Sequence, residues 1–596
     1  MPPNPTQQLN FHPPPHSCDL VMQGGITSGV VYPRAVVELA KDYRFVNIGG
    51  SSAGAIAAAA AAAAEHGRNN GGFDKLYDLS DDLGKILLSL FQPQPRLRTL
   101  FRLFLACLTG SQKTKFPRVL WTLITGYKWP GLLSLMPAGL LAIWTLKSGS
   151  FSAWIGVLIL AIVGWIVFML LKLYHQFMND LPRMDYGMCP GVQQPGESTG
   201  ALSDWLADKL DELAANDATF NYKENGIKKS TKRPLCFSDL WGTHKDAEKN
   251  PIINLQIMTT NLTTGRPYRI PFNEDGFYFR KDDMLRFFPK RVVDWMVKKS
   301  IADTVDNSYY TLENMKDLPV VVAARMSSSF PLLLTAIPLY AKDYTLQDAD
   351  ERKILRPCWF SDGGICSNFP IHFFDSPFPR RPTFGISLEN FSAPHHTNND
   401  QGDIQVYLPE NMLAGIRRSF TPISSANEFL GVLMRTMKDW QDTLQCTLPG
   451  FRDRVASVRL KPDEGGLNLD MSDKRVTKLV NLGEQAGVTL RRDFDFDRHR
   501  WVRYLVTMGK IDETVTSVQD IYDTNDSGYP SLHDFVRTYG EAPAAYNELP
   551  KKWRKKARKI LAVSYRVSSE WRKDPWLSKS PKLPKPRVDL RIMPKT

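Results

Sequence analysis

Gly50, Ser52 and Gly54 stand at the Gly-x-Ser-x-Gly spacing of a nucleophile elbow, in which a serine is exposed on a sharp turn between a strand and a helix. Residues 45–48, of which only Asn47 is polar, are predicted as a short buried strand, and residues 55–65 as a helix. The serine hydroxyl would then lie at a helix N-terminus, where free N–H groups and the helix dipole favour developing negative charge. The pattern predicts a nucleophilic serine suited to hydrolysis.

The neighbouring Ser51 competes with Ser52 by adjacency, and the spacing between the two glycines selects Ser52. An alanine-rich run follows at residues 55–64, interrupted only by Ile56. Because alanine is the best helix former and its small side chain lets a helix pack closely on every side, we predict a buried helix that supports the serine. The position of the elbow after a single strand–helix unit is too early for an ordinary α/β-hydrolase.

A glycine-containing loop precedes the elbow. Gly24 and Gly25 lie between a predicted strand, residues 19–22, and a predicted helix, residues 30–41, and such a loop can turn backbone N–H groups towards one point. A phosphate-binding P-loop would end in Gly-Lys-Ser/Thr, whereas Gly29 is followed by valine, so a nucleotide site is excluded. The strand–helix–strand–helix order of this region predicts an α/β domain with a parallel sheet.

Asp362, Gly363 and Gly364 follow another short predicted strand. Asp-Gly is common in ordinary turns. Here it comes after a glycine loop and a Gly-x-Ser-x-Gly turn, and these three motifs in this order resemble the patatin-like phospholipase family. The segment at residues 322–331 and the Asn-Phe-Pro sequence at residues 368–370 are similar to the same family.

The resemblance covers residues 18–67 and 318–388 and implies a serine–aspartate dyad that works without histidine, metal or any other cofactor. Ser52 would be the nucleophile, and Asp362 would be the general base that takes its proton. Backbone N–H groups of the glycine loop and the elbow would bind the oxyanion. The implied oxyanion-hole residues are Gly24, Gly25, Ile26 and Ala53, and the implied motif residues are Gly50, Gly54, Gly363 and Gly364.

The expected function is hydrolysis of a fatty-acyl ester in a phospholipid or lysolipid. Ile26 stands where the family has a third glycine, and Ser28 stands where it has a basic residue. These departures concern recognition of substrate charge rather than the type of reaction. They leave a catalytically inactive membrane scaffold as one alternative. Acyl transfer to an acceptor other than water is another, because no residue distinguishes it from hydrolysis.

The predicted fold is an α/β, patatin-like three-layer domain with a central mostly parallel sheet, a large insertion carrying a hydrophobic helical hairpin, and a helical basic C-terminal extension. The catalytic domain would comprise residues 18–67 and 251–500, separated by the insertion at residues 68–250. Residues 1–17 are rich in Pro, Asn and Gln and are predicted as a disordered segment, and residues 501–596 form the predicted extension.

Two uncharged apolar runs within the insertion, residues 129–146 and 151–171, are long enough to cross a bilayer as helices. The alternatives are an apolar hairpin that covers a lipid-binding cleft and a buried pair of core helices. Lys and Arg dominate the flanks of the runs, so the positive-inside rule places both flanks in the cytoplasm. We therefore predict a multi-pass membrane protein whose catalytic domain faces the cytoplasm.

The net charge of +13 belongs to the C-terminal tail, because residues 550–596 contain sixteen Lys and Arg against three Asp and Glu. The rest of the chain balances, so no nucleic-acid partner is expected. Residues 551–573 alternate basic and apolar side chains, which predicts either an interfacial helix on anionic lipid or a solvated charged helix. Seven cysteines without a Cys-x-x-Cys pair argue against a disulfide framework or a zinc site. No sequence feature indicates the oligomeric state.

Overall fold

A computed structural model gives the fold of the chain. The residues that it describes are 14–25, 28–108, 112–127, 136, 139, 142–143, 151–224, 227–273, 276–347, 353–392, 396–398, 402–411, 414, 420, 423–461, 464–465, 469, 471–522, 528–538, 551–573 and 583–586. The predicted disordered segment therefore lies almost wholly outside the described residues.

One large sheet of eleven strands dominates the described part of the chain. In chain order its strands are β1 His16–Met22, β2 Tyr43–Ser51, β3 Asn254–Asn261, β4 Arg266–Ile270, β5 Phe277–Arg280, β6 Tyr309–Thr311, β7 Ile337–Gln347, β8 Lys353–Ser361, β9 Thr383–Asn390, β10 Val406–Tyr407 and β11 Val455–Leu460. Their spatial order is β10-β11-β9-β1-β2-β3-β8-β7-β5-β6, and β4 also pairs with β3. The five central strands from β11 to β3 are parallel, and the outer pairs are antiparallel. The predicted α/β class with a parallel centre is confirmed.

Helices flank this sheet and extend from it. Those of seven or more residues in the described chain are α1 Tyr32–Ala40, α2 Ala53–His66, α3 Gly72–Ile86, α4 Arg98–Leu108, α5 Gln112–Gly126, α6 Phe151–His175, α7 Leu202–Leu213, α8 Lys290–Lys299, α9 Val320–Ser327, α10 Ala426–Thr447, α11 Asp473–Asp493, α12 Phe496–Tyr522, α13 Leu532–Thr538 and α14 Lys551–Lys573. The predicted helical C-terminal region is present.

The two faces of the sheet are covered differently. Successive side chains of β1 point to opposite faces, so Leu20 and Met22 join the main helix-covered core, whereas Val21 packs with Phe369 and Ile371. The alanine-rich α2 packs on β2 and against α3 and α7, and most of its alanines are buried. The predicted buried helix behind the elbow is thus present, and its small side chains allow these close contacts.

Helices α1 and α11 pack closely against each other. A Cβ on Gly483 would lie 1.9 Å from the carbonyl oxygen of Val31, and one on Gly487 would lie 2.7 Å from that of Ala35. Glycine at these two positions lets the backbones touch. The contact packs the C-terminal α11 onto the first helix of the chain.

The predicted insertion contributes more regular structure than its polar, loop-rich sequence indicates. Besides α3 and α7, which pack on α2, it contains an antiparallel hairpin formed by Thr219–Glu224 and Ile227–Lys232. A short parallel pair joins Gly187–Cys189 to Leu332–Leu334. Apolar side chains of α3 and α7 belong to the main hydrophobic core, so this part of the predicted insertion shares one core with the sheet.

Helix α6 lies in the second predicted membrane run. The helical stretch Trp154–Arg183 is 30 residues long and contains an 18-residue window with a mean hydropathy of 2.8, of which only 6% is buried, so the helix is long and apolar enough to cross a bilayer. The first predicted run lies outside the described residues apart from positions 136, 139, 142 and 143. The multi-pass topology is therefore not supported, since only this helix in the described chain meets the criterion.

The basic tail forms α14, which packs along α12. The Tyr522 and Tyr565 rings stack with centroids 4.0 Å apart, and Arg572 pairs with Asp520 at 2.6 Å. The apolar residues Ile560 and Val563 stay exposed on α14. Among the described residues, α14 thus packs through one face and leaves apolar side chains exposed on another.

Candidate active site

The turn at Ser52 has strained backbone geometry. Ser52 follows β2 and precedes α2, and its φ of 56° and ψ of −129° lie outside the regions that L residues usually adopt. The flanking glycines are required sterically, because a Cβ on Gly50 would lie 2.1 Å from the Gly54 carbonyl oxygen. A Cβ on Gly54 would lie 2.3 Å from the carbonyl oxygen of Met22. These two glycines make the sharp turn possible.

The hydroxyl of Ser52 meets the carboxylate of Asp362. Ser52 Oγ donates a hydrogen bond to Asp362 Oδ2 at 2.6 Å, and both side chains are buried. The strands that carry them, β2 and β8, are both neighbours of β3, which brings their ends together. In the described part of the chain no histidine bonds to Ser52. Ser51 is fully buried and its hydroxyl has no partner among the described residues, so it is not placed to attack a substrate.

Two hydrogen bonds that involve backbone groups fix the loop that begins at Asp362. Asp362 Oδ1 accepts a hydrogen bond from the Gly364 N–H at 2.7 Å, and the Asp362 N–H donates to the Ser329 carbonyl at 3.0 Å. A Cβ on Gly363 would lie 2.1 Å from the Met258 carbonyl oxygen, so a larger residue would push the loop away from β3. The carboxylate is therefore aimed at Ser52 by bonds from both sides.

The C-terminal end of α9 and the residues that follow it connect the nucleophile to the base. Ser327 Oγ accepts a hydrogen bond from the Ser52 N–H at 2.9 Å, while Ser329 holds the Asp362 backbone. The buried Arg325 donates to Ser329 Oγ at 2.7 Å and to Thr335 Oγ1 at 2.9 Å. Burial lowers the pKa of Arg325 to about 9, so its guanidinium is still charged at neutral pH. One rigid segment thus positions both reacting side chains.

The glycine loop lies beside Ser52 but differs in one respect from the sequence expectation. The Gly24 N–H donates to the Asn368 carbonyl at 2.8 Å, and Asn368 Nδ2 donates to the Gly24 carbonyl at 3.2 Å. The Gly24 N–H is therefore engaged and does not face an incoming oxyanion. The N–H groups of Gly25 and Ala53 donate to no group within the described residues. Ile26 lies outside the described residues.

Asp442 on α10 holds the loop that binds Gly24. Its carboxylate accepts hydrogen bonds from the Asn368 N–H at 2.6 Å, the Phe369 N–H at 2.9 Å and Ser367 Oγ at 2.9 Å. Burial raises the pKa of Asp442 to about 6, against an ordinary value of 3.8. Its charge therefore disappears in a range of pH in which an exposed aspartate stays ionised.

Sequence reasoning assigned no role to Arg325, Ser327, Ser329 or Asp442. The serine run at 327–329 was within a segment similar to the family, and serines at the end of a buried helix were a usable signal. Asp442 offered none, because a single aspartate on an amphipathic helix is an ordinary solvated residue. Within the described residues no group of three or more His, Cys, Asp and Glu could hold a metal ion.

Two comparisons relate the chain to known proteins. Residues 20–144, which include the glycine loop and the elbow, match the sequence family described as patatin-like phospholipase. A protein of Rhizobium meliloti (strain 1021) named RpoH suppressor is 33% identical to this chain, over 98% of this chain and 99% of its own length. The chain belongs to the patatin-like phospholipase family, and membership of this family implies a lipid substrate.

Proposed function

We propose that the chain is a membrane-associated lipid acyl hydrolase of the phospholipase A or lysophospholipase type, with Ser52 as nucleophile and Asp362 as general base. The observation that carries the proposal is the 2.6 Å hydrogen bond from Ser52 Oγ to Asp362 Oδ2 on a strained strand-to-helix turn. A nucleophile bonded directly to a base is the signature of covalent catalysis by a serine.

In the acylation step Ser52 Oγ attacks the ester carbonyl carbon while its proton passes to Asp362 Oδ2. The carbonyl oxygen becomes an oxyanion, which the N–H groups of Gly25 and Ala53 would stabilise. Ala53 is the first residue of α2, where the helix dipole adds to the N–H donors. Collapse of the intermediate breaks the bond to the alcohol part of the lipid, which leaves with the proton held by Asp362. The fatty-acyl group stays esterified to Ser52.

In the deacylation step Asp362, now ionised again, takes a proton from a water molecule. The resulting hydroxide attacks the acyl carbonyl, and the oxyanion is held by the same two N–H groups. Ser52 leaves as the alkoxide, recovers the proton from Asp362, and the fatty acid departs. Gly24 would act indirectly by holding Asn368 and shaping the loop. Each N–H donor of this kind typically contributes about 2.7–4 kcal/mol to transition-state stabilisation.

Two helices of the chain suit a substrate in a bilayer. Helix α6 supplies an apolar segment of membrane-spanning length, and α14 supplies a basic surface for anionic lipid. We propose that residues 18–67 and 251–500 form the catalytic domain, with residues 68–250 as its insertion and residues 501–596 as its basic extension. Acyl transfer is the alternative outcome, and product analysis with and without an alcohol acceptor separates the two.

The test is release of fatty acid from phosphatidylcholine or lysophosphatidylcholine vesicles by the full chain. Ser52→Ala should reduce the rate to that of the uncatalysed background. Ser51→Ala is the matched control, since it removes a buried hydroxyl that has no partner among the described residues, and it should keep at least half of the wild-type rate. Equal rates in wild type and Ser52→Ala would refute the assignment.

A further inference from the structure

Helix α10 exposes a stripe of large apolar side chains. Its members are Phe429, Leu430, Leu433, Met437, Trp440 and Leu444, and each is between 42% and 64% exposed. At 3.6 residues per turn these six positions fall within an arc of about 100° along the helix. Soluble proteins rarely leave so continuous an apolar surface in water. We name these six residues the apolar stripe.

The opposite side of α10 is attached to the active site. Asp442 lies about 170° around the helix from the centre of the apolar stripe. Its carboxylate is buried on the 367–369 loop, and Cys446 packs beside Phe369 on the same side. The attached side therefore bonds to the loop that holds Gly24, and the apolar stripe faces outwards.

We propose that the apolar stripe of α10 docks on the surface of a lipid bilayer and so sets the active site against the membrane interface. The choice of a lipid substrate rests on the proposed function, whereas the docking itself rests on the exposed stripe. A helix with an apolar stripe and a polar opposite side lies in the plane of the interface.

The contrast with α6 favours a bilayer over a second copy of the chain. Helix α6 is apolar on all sides and largely exposed among the described residues, and a bilayer is the environment that can cover such a helix around its whole circumference. With α6 in a bilayer, the rest of the chain is held at the membrane. The apolar stripe gives the same chain a second contact of the same chemistry, on the element that bonds to the active-site loop.

Photocrosslinking in the full chain identifies what covers the stripe. Met437 is replaced by the photoreactive residue benzoylphenylalanine, and the chain is reconstituted into vesicles of phosphatidylcholine and phosphatidylglycerol. The matched control carries the same residue at Gly431, which is exposed on the other side of α10 and has open space around it. We expect lipid adducts at position 437 and at least tenfold fewer at position 431. Chain-to-chain crosslinks at 437, or no excess of lipid adducts over 431, would overturn the proposal.

Kinetics give an independent readout. Met437→Glu places a charge in the apolar stripe, and Gly431→Glu places the same charge on the opposite side. The measured quantity is the ratio of phospholipid hydrolysis in vesicles to hydrolysis of a water-soluble short-chain ester. We expect this ratio to fall about tenfold in Met437→Glu and to stay within twofold of wild type in Gly431→Glu. Equal ratios in the two variants would overturn docking. If the wild type hydrolyses neither ester, the proposed function is wrong. The photocrosslinking experiment then still tests whether the apolar stripe binds the bilayer.

Discussion

The catalytic centre and the apolar stripe of α10 are built in opposite ways. At the centre, polar groups are buried and bonded to one another, from Ser52 and Asp362 to Arg325 and its partners. On α10, large apolar groups are exposed. A buried polar network holds one geometry because an unmade hydrogen bond is costly there. An exposed apolar surface is instead stabilised when an apolar partner such as a bilayer covers it. The catalytic centre therefore determines the reaction, and the apolar stripe determines where the protein binds.

Asp442 joins the two regions. It lies on the inner side of α10 and accepts three hydrogen bonds from the loop that holds Gly24. A displacement of α10 would therefore also move the loop that holds Gly24 beside Ser52. Substitutions at the centre should change rate or stability, whereas substitutions on the stripe should change the preference for lipid surfaces.

After Ser52→Ala, the largest effect is expected for Asp362→Asn, which keeps a group able to accept the hydrogen bond from Ser52 but cannot take its proton. General-base catalysis typically contributes about 10²–10⁴-fold, so we expect kcat to fall by about that factor. Steady-state hydrolysis of a soluble ester measures it, with the thermal midpoint as a check on folding. A loss below tenfold in a folded variant would exclude Asp362 as the base.

Replacing one glycine at the catalytic centre and one on α10 by alanine compares how each region contributes to the free energy of unfolding. In Gly54→Ala the new Cβ meets backbone oxygen at 2.3 Å, and overpacking of this kind should lower the free energy of unfolding by about 2–3 kcal/mol. In Gly431→Ala the Cβ meets nothing within 4 Å, and the better helix propensity of alanine should raise it by about 1 kcal/mol. Denaturant unfolding of both variants measures the difference. Changes of the same sign would contradict the comparison.

Ser327→Ala tests the strained turn. The substitution leaves the buried Ser52 N–H without its acceptor, which costs about 1–3 kcal/mol, and we expect kcat to fall about tenfold as the turn relaxes. Ser328→Ala is the matched control, because the Ser328 hydroxyl bonds to carbonyls of its own helix end. If the two variants lose activity equally, the bond to Ser52 has no special role.

The smallest effect concerns pH. Burial raises the pKa of Asp442 to about 6, so the carboxylate gains a proton as pH falls through 6 and loses acceptor strength towards the 367–369 loop. We expect a few-fold loss of kcat between pH 7 and pH 5 in the wild type. Asp442→Asn cannot titrate, so it should show a lower rate at pH 7 and a flatter profile over that range. If kcat of this variant falls between pH 7 and pH 5 as steeply as that of the wild type, a group other than Asp442 is responsible for the fall.

Much of the centre could be predicted because its steric demands are local. The turn at Ser52 itself requires glycine at positions 50 and 54. The alanine run that follows it in the sequence predicts a helix that packs closely on the sheet. The parallel centre of the sheet follows from the alternation of strands and helices at the start of the chain. These features depend on neighbours in sequence.

The rest depends on partners far apart in the chain. Ser327 reaches the Ser52 N–H across 275 residues, and Asn368 reaches Gly24 across 344. The engagement of the Gly24 N–H could not be predicted for that reason. The predicted membrane hairpin depends on two apolar runs: α6 is long and apolar enough to cross a bilayer, and the first run lies mostly outside the described residues.

Labelling by a fluorophosphonate probe tests the central claim most directly. The probe reacts with a serine whose hydroxyl is activated by a neighbouring base, and peptide mapping locates the adduct. We expect wild type and Ser51→Ala to be labelled on Ser52, and Ser52→Ala to be unlabelled in the same membrane fraction. Labelling of Ser52→Ala at the wild-type level, or no labelling of the folded wild type, would contradict it.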